Sequence, residues 1–103
     1  MSGYTLHSEA FNDIDEIRAY IAEDNPDAAE RFLVAAQESF ELIRCHPRIG
    51  RLRSFSITGV RSWVIPDFQN YLVFYLPTGT EVRILAVLHG ARDLASVLPK
   101  RSE

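Results

Sequence analysis

The sequence has little cysteine and no long apolar run, and each absence excludes a class of protein. Cys45 is the single cysteine among 103 residues, so no intrachain disulfide can form and a reducing compartment, the cytoplasm, is expected. We interpret Cys45 as a small buried apolar side chain rather than a nucleophile. No stretch approaches the ~18 apolar residues of a membrane span, and residues 1–10 lack a basic segment followed by an apolar run. We expect neither export nor membrane insertion.

The motifs of most catalytic and cofactor sites are also missing. The sequence has no phosphate-binding loop, no G-x-G-x-x-G and no G-x-S-x-G. His7, His46 and His89 are scattered, without the spacing of metal ligands. Asp13 and Glu16 form a carboxylate pair, which we interpret as part of a solvated helix face rather than as a general acid and base. We expect no catalytic residue, no cofactor and no metal.

The length and composition indicate one soluble globular domain, residues 1–103. The chain is 47% hydrophobic and 24% charged, close to the average of soluble proteins. Its net charge of -3 conceals an asymmetry. Residues 1–43 carry two arginines against ten Asp or Glu, whereas residues 44–103 carry nine basic side chains against four acidic ones. This split suggests a face for a charged partner, and the alternative is two solvated faces without a role.

The first half of the chain has helical periodicity after a short alternating stretch at residues 4–7, which predicts an edge strand. Ser8 is the expected N-cap of a first helix, and Asn25 ends that helix and caps a second. The second helix should end at residues 46–47. Apolar side chains at helical spacing predict a core-facing stripe on each helix: Phe11, Ile14, Ile17 and Ile21 on the first, and Ala29, Phe32, Leu33, Ala36, Phe40 and Ile43 on the second. Together they predict an antiparallel helical hairpin.

The second half changes to strand periodicity. After a loop at residues 47–59, three runs predict strands at 60–65, 71–76 and 82–88, joined as an antiparallel meander. The last two runs are apolar on both alternations, so a second face of the sheet must be covered, either by a helical turn in residues 91–98 or by another chain. The predicted class is therefore α+β, with an N-terminal strand, a helical hairpin and a three-stranded meander.

The basic half contains the candidate binding residues. Arg61 on a strand and Arg92 beyond the last strand could approach each other at one end of the sheet, and arginine clusters bind phosphates and carboxylates through bidentate hydrogen bonds. Trp63 shares the face of Arg61 if the strand is regular, although core packing is an equal alternative for it. The alternative for the two arginines is pairing with Asp67 or Asp93.

Five segments of the sequence resemble successive signatures of the RelE/ParE toxin family, in the order of that family. They are IRAYIAEDNPDAA at 17–29, HPRIGR at 46–51, GVR at 59–61, YLVFY at 71–75 and VLHGARDL at 87–94. The resemblance spans about residues 4–95. It implies the fold predicted above and the toxin component of a type II toxin–antitoxin system. It also implies a hetero-oligomer with a cognate antitoxin, through which alone operator DNA would be contacted.

Two activities divide this family, and three departures favour its ParE-like branch. Leu72 follows Tyr71 where a RelE-like nuclease usually has a basic residue, and no tyrosine or histidine follows Arg92. The sequence pI of about 5.6 is also low for a protein that acts on ribosomal RNA. The resemblance thus implies a non-enzymatic inhibitor of DNA gyrase. The alternatives are a ribosome-dependent mRNA endoribonuclease, and a decayed toxin that only regulates its operon. Arg61, His89 and Arg92 match the family pattern and, with Trp63, are the predicted partner-binding residues.

Overall fold

The computed structural model describes residues 3–90 and 94–101, and it confirms the predicted α+β class. Eight elements follow one another along the chain: β1 Gly3–Leu6, α1 Ser8–Asp24, α2 Pro26–Cys45, β2 Arg51–Leu52, β3 Arg61–Ile65, β4 Phe68–Pro77, β5 Glu81–His89 and α3 Leu94–Arg101. None of the helices in these two ranges is long and apolar enough to cross a membrane.

The strands form one sheet in the order β1-β5-β4-β3-β2. β3, β4 and β5 are the predicted antiparallel meander, and β1 pairs with β5 in parallel at one edge. β2 lies at the other edge, where Arg51 is opposite Ser62 and Leu52 is opposite Arg61. The sequence predicts a loop there, since two residues are too few to show an alternating pattern.

The helical hairpin begins and turns through two side-chain caps. The ring Nδ1 of His7, rather than the hydroxyl of Ser8, accepts a hydrogen bond from the Glu9 amide at 3.1 Å, so the predicted cap is wrong by one residue. Asn25 caps α2 as predicted, by accepting from the Ala28 amide at 3.1 Å. These caps satisfy amide donors that a helix start otherwise leaves without partners.

The hairpin packs on one face of the sheet and forms the larger core with it. The predicted stripe of α2 is confirmed, because its members are buried apart from the half-buried Leu33. In α1, by contrast, Phe11 is 57% exposed, while Ala10 and Asp13 are buried. Successive helical residues are about 100° apart, so the rotation that turns Asp13 inward turns Phe11 outward. The prediction of Phe11 as a core residue is therefore wrong.

The opposite face of the sheet carries a second, smaller core. A β-bulge between β4 and β5 places Phe74 opposite Ala86 and Tyr75 opposite Ile84, so Leu85 is the extra residue. Helix α3 covers this face, which is the first of the two predicted alternatives, a helical turn in the tail or another chain. The buried members of this core are Val60, Phe74, Leu85, Ala86, Leu88, Leu94 and Leu98.

A buried ion pair joins α3 to α1 across the edge of β5. Arg101 Nη1 lies 2.5 Å from Asp13 Oδ2, and Arg101 Nη2 donates to Oδ1 at 3.2 Å. β1 ends at Leu6, so β5 extends beyond its neighbour, and the pair satisfies this free edge. Asp13 accepts from the Val87 amide at 3.0 Å, and Arg101 donates to the Leu85 carbonyl at 3.4 Å. Asp13 was predicted on a solvated helix face, and that prediction is wrong.

Candidate functional site

Four arginines gather at the sheet edge formed by β2 and the start of β3, and we call them the arginine edge: Arg48, Arg51, Arg53 and Arg61. Within residues 3–90 and 94–101, none of the four forms an ion pair with a carboxylate. Unpaired guanidinium groups on two paired strands and on the chain on either side of β2 create a positive potential along this edge. The edge is therefore suited to an anionic partner.

Arg61 holds the chain segment that precedes β2. Its Nη1 donates to the Gly50 carbonyl at 2.8 Å and to the Arg48 carbonyl at 3.2 Å. Of the two carboxylates considered for it, Asp67 forms no ion pair with it, and Asp93 lies outside the described residues. Arg61 thus positions the neighbouring arginines through backbone carbonyls.

Tyr75 fixes the same segment from beneath. Its side chain is fully buried, and its hydroxyl donates to the Pro47 carbonyl and accepts from the Gly50 amide, both at 2.8 Å. Burial raises the pKa of Tyr75 above its usual value, and the Gly50 amide and the charge of Arg61 offset part of that rise. The phenol therefore stays protonated at neutral pH with both of these hydrogen bonds made.

Gly50 is required by this close approach. A Cβ at this position would lie 2.5 Å from the Tyr75 hydroxyl oxygen and 2.8 Å from the Ser62 carbonyl oxygen. Both separations are shorter than a van der Waals contact, so a larger residue would push the segment away from the sheet. The turn before β2 depends on glycine for space.

Arg53 is held by aromatic rings on the second face of the sheet. Its guanidinium carbon lies 5.4 Å from the ring centre of Phe55 and 5.7 Å from that of Phe74, and Nη1 donates to the Ser62 hydroxyl at 3.0 Å. Cation–π contacts of this kind orient a guanidinium without neutralising its charge. Arg53 therefore remains available to an anion beside the exposed Arg51.

The family profile described as "ParE toxin of type II toxin-antitoxin system, parDE" matches residues 4–94. The chain belongs to the ParE toxin family. It is 33% identical over 89 residues to "Putative toxin Y4kP" of Sinorhizobium fredii, covering 86% of this chain and 88% of that protein. It is 31% identical over 91 residues to "Toxin ParE3" of Caulobacter vibrioides, with 87% and 88% covered.

A solved structure shares the fold of this ParE-family toxin. It is described as "Chromosomal ParDE TA system from P. aeruginosa", and it aligns with a TM-score of 0.69 at 21% identity. The alignment covers 86% of this chain and 95% of that one. The ParE fold, with its helical hairpin packed on the sheet, is therefore present here.

The four predicted partner-binding residues do not gather at one place in this ParE-family toxin. Arg61 pairs with Tyr75, whereas His89 pairs with Tyr71 four residues away along β4, which is about 13 Å at the rise of a strand. His89 is exposed, and its ring packs edge-on against Tyr71 at 5.5 Å. Arg92 lies outside the described residues. The role of these residues in binding stays a prediction.

Trp63 and Cys45 differ in how deeply their side chains are buried. Trp63 is half-buried and packs against the larger core, and its indole nitrogen is buried without a hydrogen-bond partner in the described part of the chain. The surroundings of Trp63 are therefore those of the core-packing alternative. Cys45 is exposed at the end of α2, so its predicted burial is wrong. The outward turn of this last helical residue is the physical reason.

Proposed function

We propose that this ParE-family toxin is a non-enzymatic inhibitor of DNA gyrase that acts in the cytoplasm and is neutralised by a cognate antitoxin. The antitoxin, in this proposal, also provides the contact with operator DNA. The observation that carries the proposal is the arginine edge, in which four cations have no carboxylate partner among the described residues and the nearby Tyr75 is buried beneath the 47–50 segment. Such a site is equipped to bind an anionic surface.

The sequestered tyrosine argues against nuclease chemistry at this edge. General acid–base catalysis needs a group that reaches the reacting atom and has a pKa near the working pH. Tyr75 is buried, its hydroxyl is bound to two backbone groups, and burial raises its pKa. Leu72 is an apolar side chain that packs against the second core. Neither side chain supplies a proton or a phosphate ligand.

An acidic segment of the antitoxin is a second partner that we propose for the arginine edge, where it would exclude gyrase. Carboxylates accept paired hydrogen bonds from guanidinium groups, and β2 presents a free strand edge to which an extended segment could add. Arg48, Arg51 and Arg53 would contact this segment, and Arg61 would keep them in place. His89 and Arg92 remain proposed contacts at a separate position, and Trp63 would act through packing.

Purified toxin in a gyrase supercoiling assay tests the proposed target. Arg48→Ala combined with Arg51→Ala should weaken inhibition at least about tenfold, since each lost charged hydrogen bond costs roughly 1.5–3 kcal/mol. Arg83→Ala, at a half-buried arginine of β5 that forms no ion pair among the described residues, is the control. Unchanged supercoiling in the presence of intact toxin would refute gyrase as the target.

A ribosome assay separates the alternatives. Cleavage of ribosome-bound transcripts by the purified protein would establish the ribonuclease instead. Antitoxin binding without either activity would indicate a toxin that has kept only operon regulation.

A further inference from the structure

A continuous groove runs along the outward face of α2, and we call it the α2 groove. Cavities of 390 and 260 Å³ share Ala35, Glu38 and Asp67 where the helix meets the β3–β4 turn. Two further cavities of 510 and 980 Å³ continue through Leu42 to His46 at the end of the helix. Since neighbouring depressions share lining residues and are open to solvent, they form one shallow surface along the helix.

The α2 groove contains two exposed apolar side chains on either side of Glu38, and neither belongs to a core of the described residues. Val34 is 52% exposed and Leu42 is 37% exposed, and with Glu38 they occupy positions four residues apart on one side of the helix. Ala35 and Phe68 are half-buried beside them. Because the opposite side of α2 already packs on the sheet, this second stripe is available to a partner.

The rim of the α2 groove is acidic at its middle. Glu38 and Asp67 make no ion pair with any described residue, and both line the two cavities at the β3–β4 turn. Asp67 has a φ of 68°, a conformation that non-glycine residues rarely adopt. Arg31 and Arg48 lie only towards the two ends. A phosphate backbone would be repelled here, and a cation would be attracted.

A buried polar group without a partner lies at the same place. The hydroxyl of Ser39 is buried, lines the 260 Å³ cavity and has no hydrogen-bond partner in the described ranges. An unsatisfied buried hydroxyl costs about 1–3 kcal/mol. Because this oxygen is inaccessible, the hydroxyl cannot contact a bound ligand, and the exposed apolar side chains and the carboxylates are the groups that a partner would meet.

We propose that the α2 groove binds a basic amphipathic helix of a partner protein. From Val34 to Cys45 the groove follows eleven residue steps of α2, about 17 Å at 1.5 Å per residue, which matches about three turns of a bound helix. Apolar side chains of that helix would lie over Val34 and Leu42, and its lysines or arginines would face Glu38 and Asp67. The middle of this surface has the opposite charge to the arginine edge, while its far end includes Arg48 of that edge, and the proposal does not depend on the toxin's target.

A synthetic peptide tests the proposed partner chemistry on the full-length protein. The probe is a 15-residue helical peptide with leucines at positions i, i+4, i+8 and i+11 and lysines flanking them, titrated by amide NMR. We expect shift changes at residues 34–46 and 67–68, and binding at least about tenfold tighter than that of a scrambled peptide of equal charge. No binding, equal binding of the scrambled peptide, or shifts confined to other surfaces would overturn the proposal.

A pair of matched double variants locates the binding energy. Val34→Ser with Glu38→Gln should weaken binding of the peptide at least about tenfold, because the double variant removes one apolar and one charged contact. Phe11→Ser with Asp15→Asn makes the same kind of change, at the same spacing, on the exposed face of α1 and should change affinity less than about twofold. Equal weakening by both variants would contradict the groove. The shift map of the unmodified protein decides the question if a variant folds poorly.

Discussion

The two faces of the sheet are covered in unequal ways. Two long helices, Ser8–Asp24 and Pro26–Cys45, pack on the first face, and their contact with the sheet is a continuous apolar core. The second face is covered by the eight-residue helix Leu94–Arg101 and by part of the 53–60 segment. The shorter cover has an additional attachment at its end, the buried pair between Arg101 and Asp13.

This difference indicates that the two covers have different roles in stability. The hairpin buries enough apolar area to determine whether the chain folds at all. Helix α3 contributes Leu94 and Leu98 to the buried members of the smaller core, and its attachment should also depend on the buried ion pair between Arg101 and Asp13, which we call the clip. Elements of this kind are those that detach locally while the remaining fold persists. Substitutions on the two faces should therefore give global unfolding in one case and local opening in the other.

The largest effect is expected from Phe32→Ala on the first face. Phe32 is fully buried and packs edge-on against Phe68 at 5.2 Å and Tyr71 at 5.5 Å. Its truncation should lower the free energy of unfolding by about 3–5 kcal/mol, measured by urea denaturation with circular dichroism. A loss below about 1 kcal/mol would show that the hairpin is not the main source of stability.

The next largest effect is expected from Asp13→Ala at the clip. The substitution leaves Arg101 buried without its counterion and the Val87 amide without its acceptor, which should cost about 3 kcal/mol. The substitution should accelerate amide hydrogen exchange more in residues 94–101 than in α2. Asp15→Ala, on the exposed side of the same helix, is the control.

A double variant separates the ion pair from packing. Asp13→Leu with Arg101→Met replaces the buried charges by apolar side chains and should cost less than Asp13→Ala alone. If exchange in residues 94–101 were unchanged in Asp13→Ala, α3 would be held by its leucines, and the contrast between the faces would disappear.

A smaller effect is expected from Tyr75→Phe. The change leaves the Gly50 amide without its acceptor and should cost about 1–2 kcal/mol. The folded pKa of Tyr75 is raised above 10.0, so its contribution is complete below the unfolded pKa and is lost as pH rises through the folded pKa. Stability of the unmodified protein should therefore fall above pH 10, and the variant should fall less. Tyr71, whose pKa burial also raises, remains in both proteins, and identical alkaline profiles would contradict this assignment.

Local patterns in the sequence predict those elements of the fold in which the pattern is repeated several times. The α2 stripe and the three meander strands span several turns or alternations, so their periods identify them, and Asn25-Pro26 marks the turn between the helices. Contacts between distant residues leave no such trace. The clip joins residues separated by 88 positions. β2 is a strand because Arg51 pairs with Ser62 of β3.

The candidate site shows the same limit. Arg61 can be recognised from its place on a predicted strand. The other three arginines of the edge become a candidate site because hydrogen bonds from Tyr75 and Arg61 fix the segment that bears them. That segment has no period, and its shape depends on hydrogen bonds from residues 11 to 28 positions away. The α2 groove is likewise formed by a helix and a distant turn.

The smallest effect is expected from Phe11→Ala, which tests the rotation of α1 directly. Spacing alone places Phe11 in the core stripe, and a core phenylalanine would cost about 3–5 kcal/mol on truncation. The structure places Asp13 on the free edge of β5, and Phe11 lies on the opposite side with 57% of its surface exposed. Truncation should therefore change the free energy of unfolding by no more than about 0.5 kcal/mol. A loss of several kcal/mol in urea denaturation would mean that α1 packs with the rotation that its apolar spacing suggests, and Asp13 could then not reach the Val87 amide.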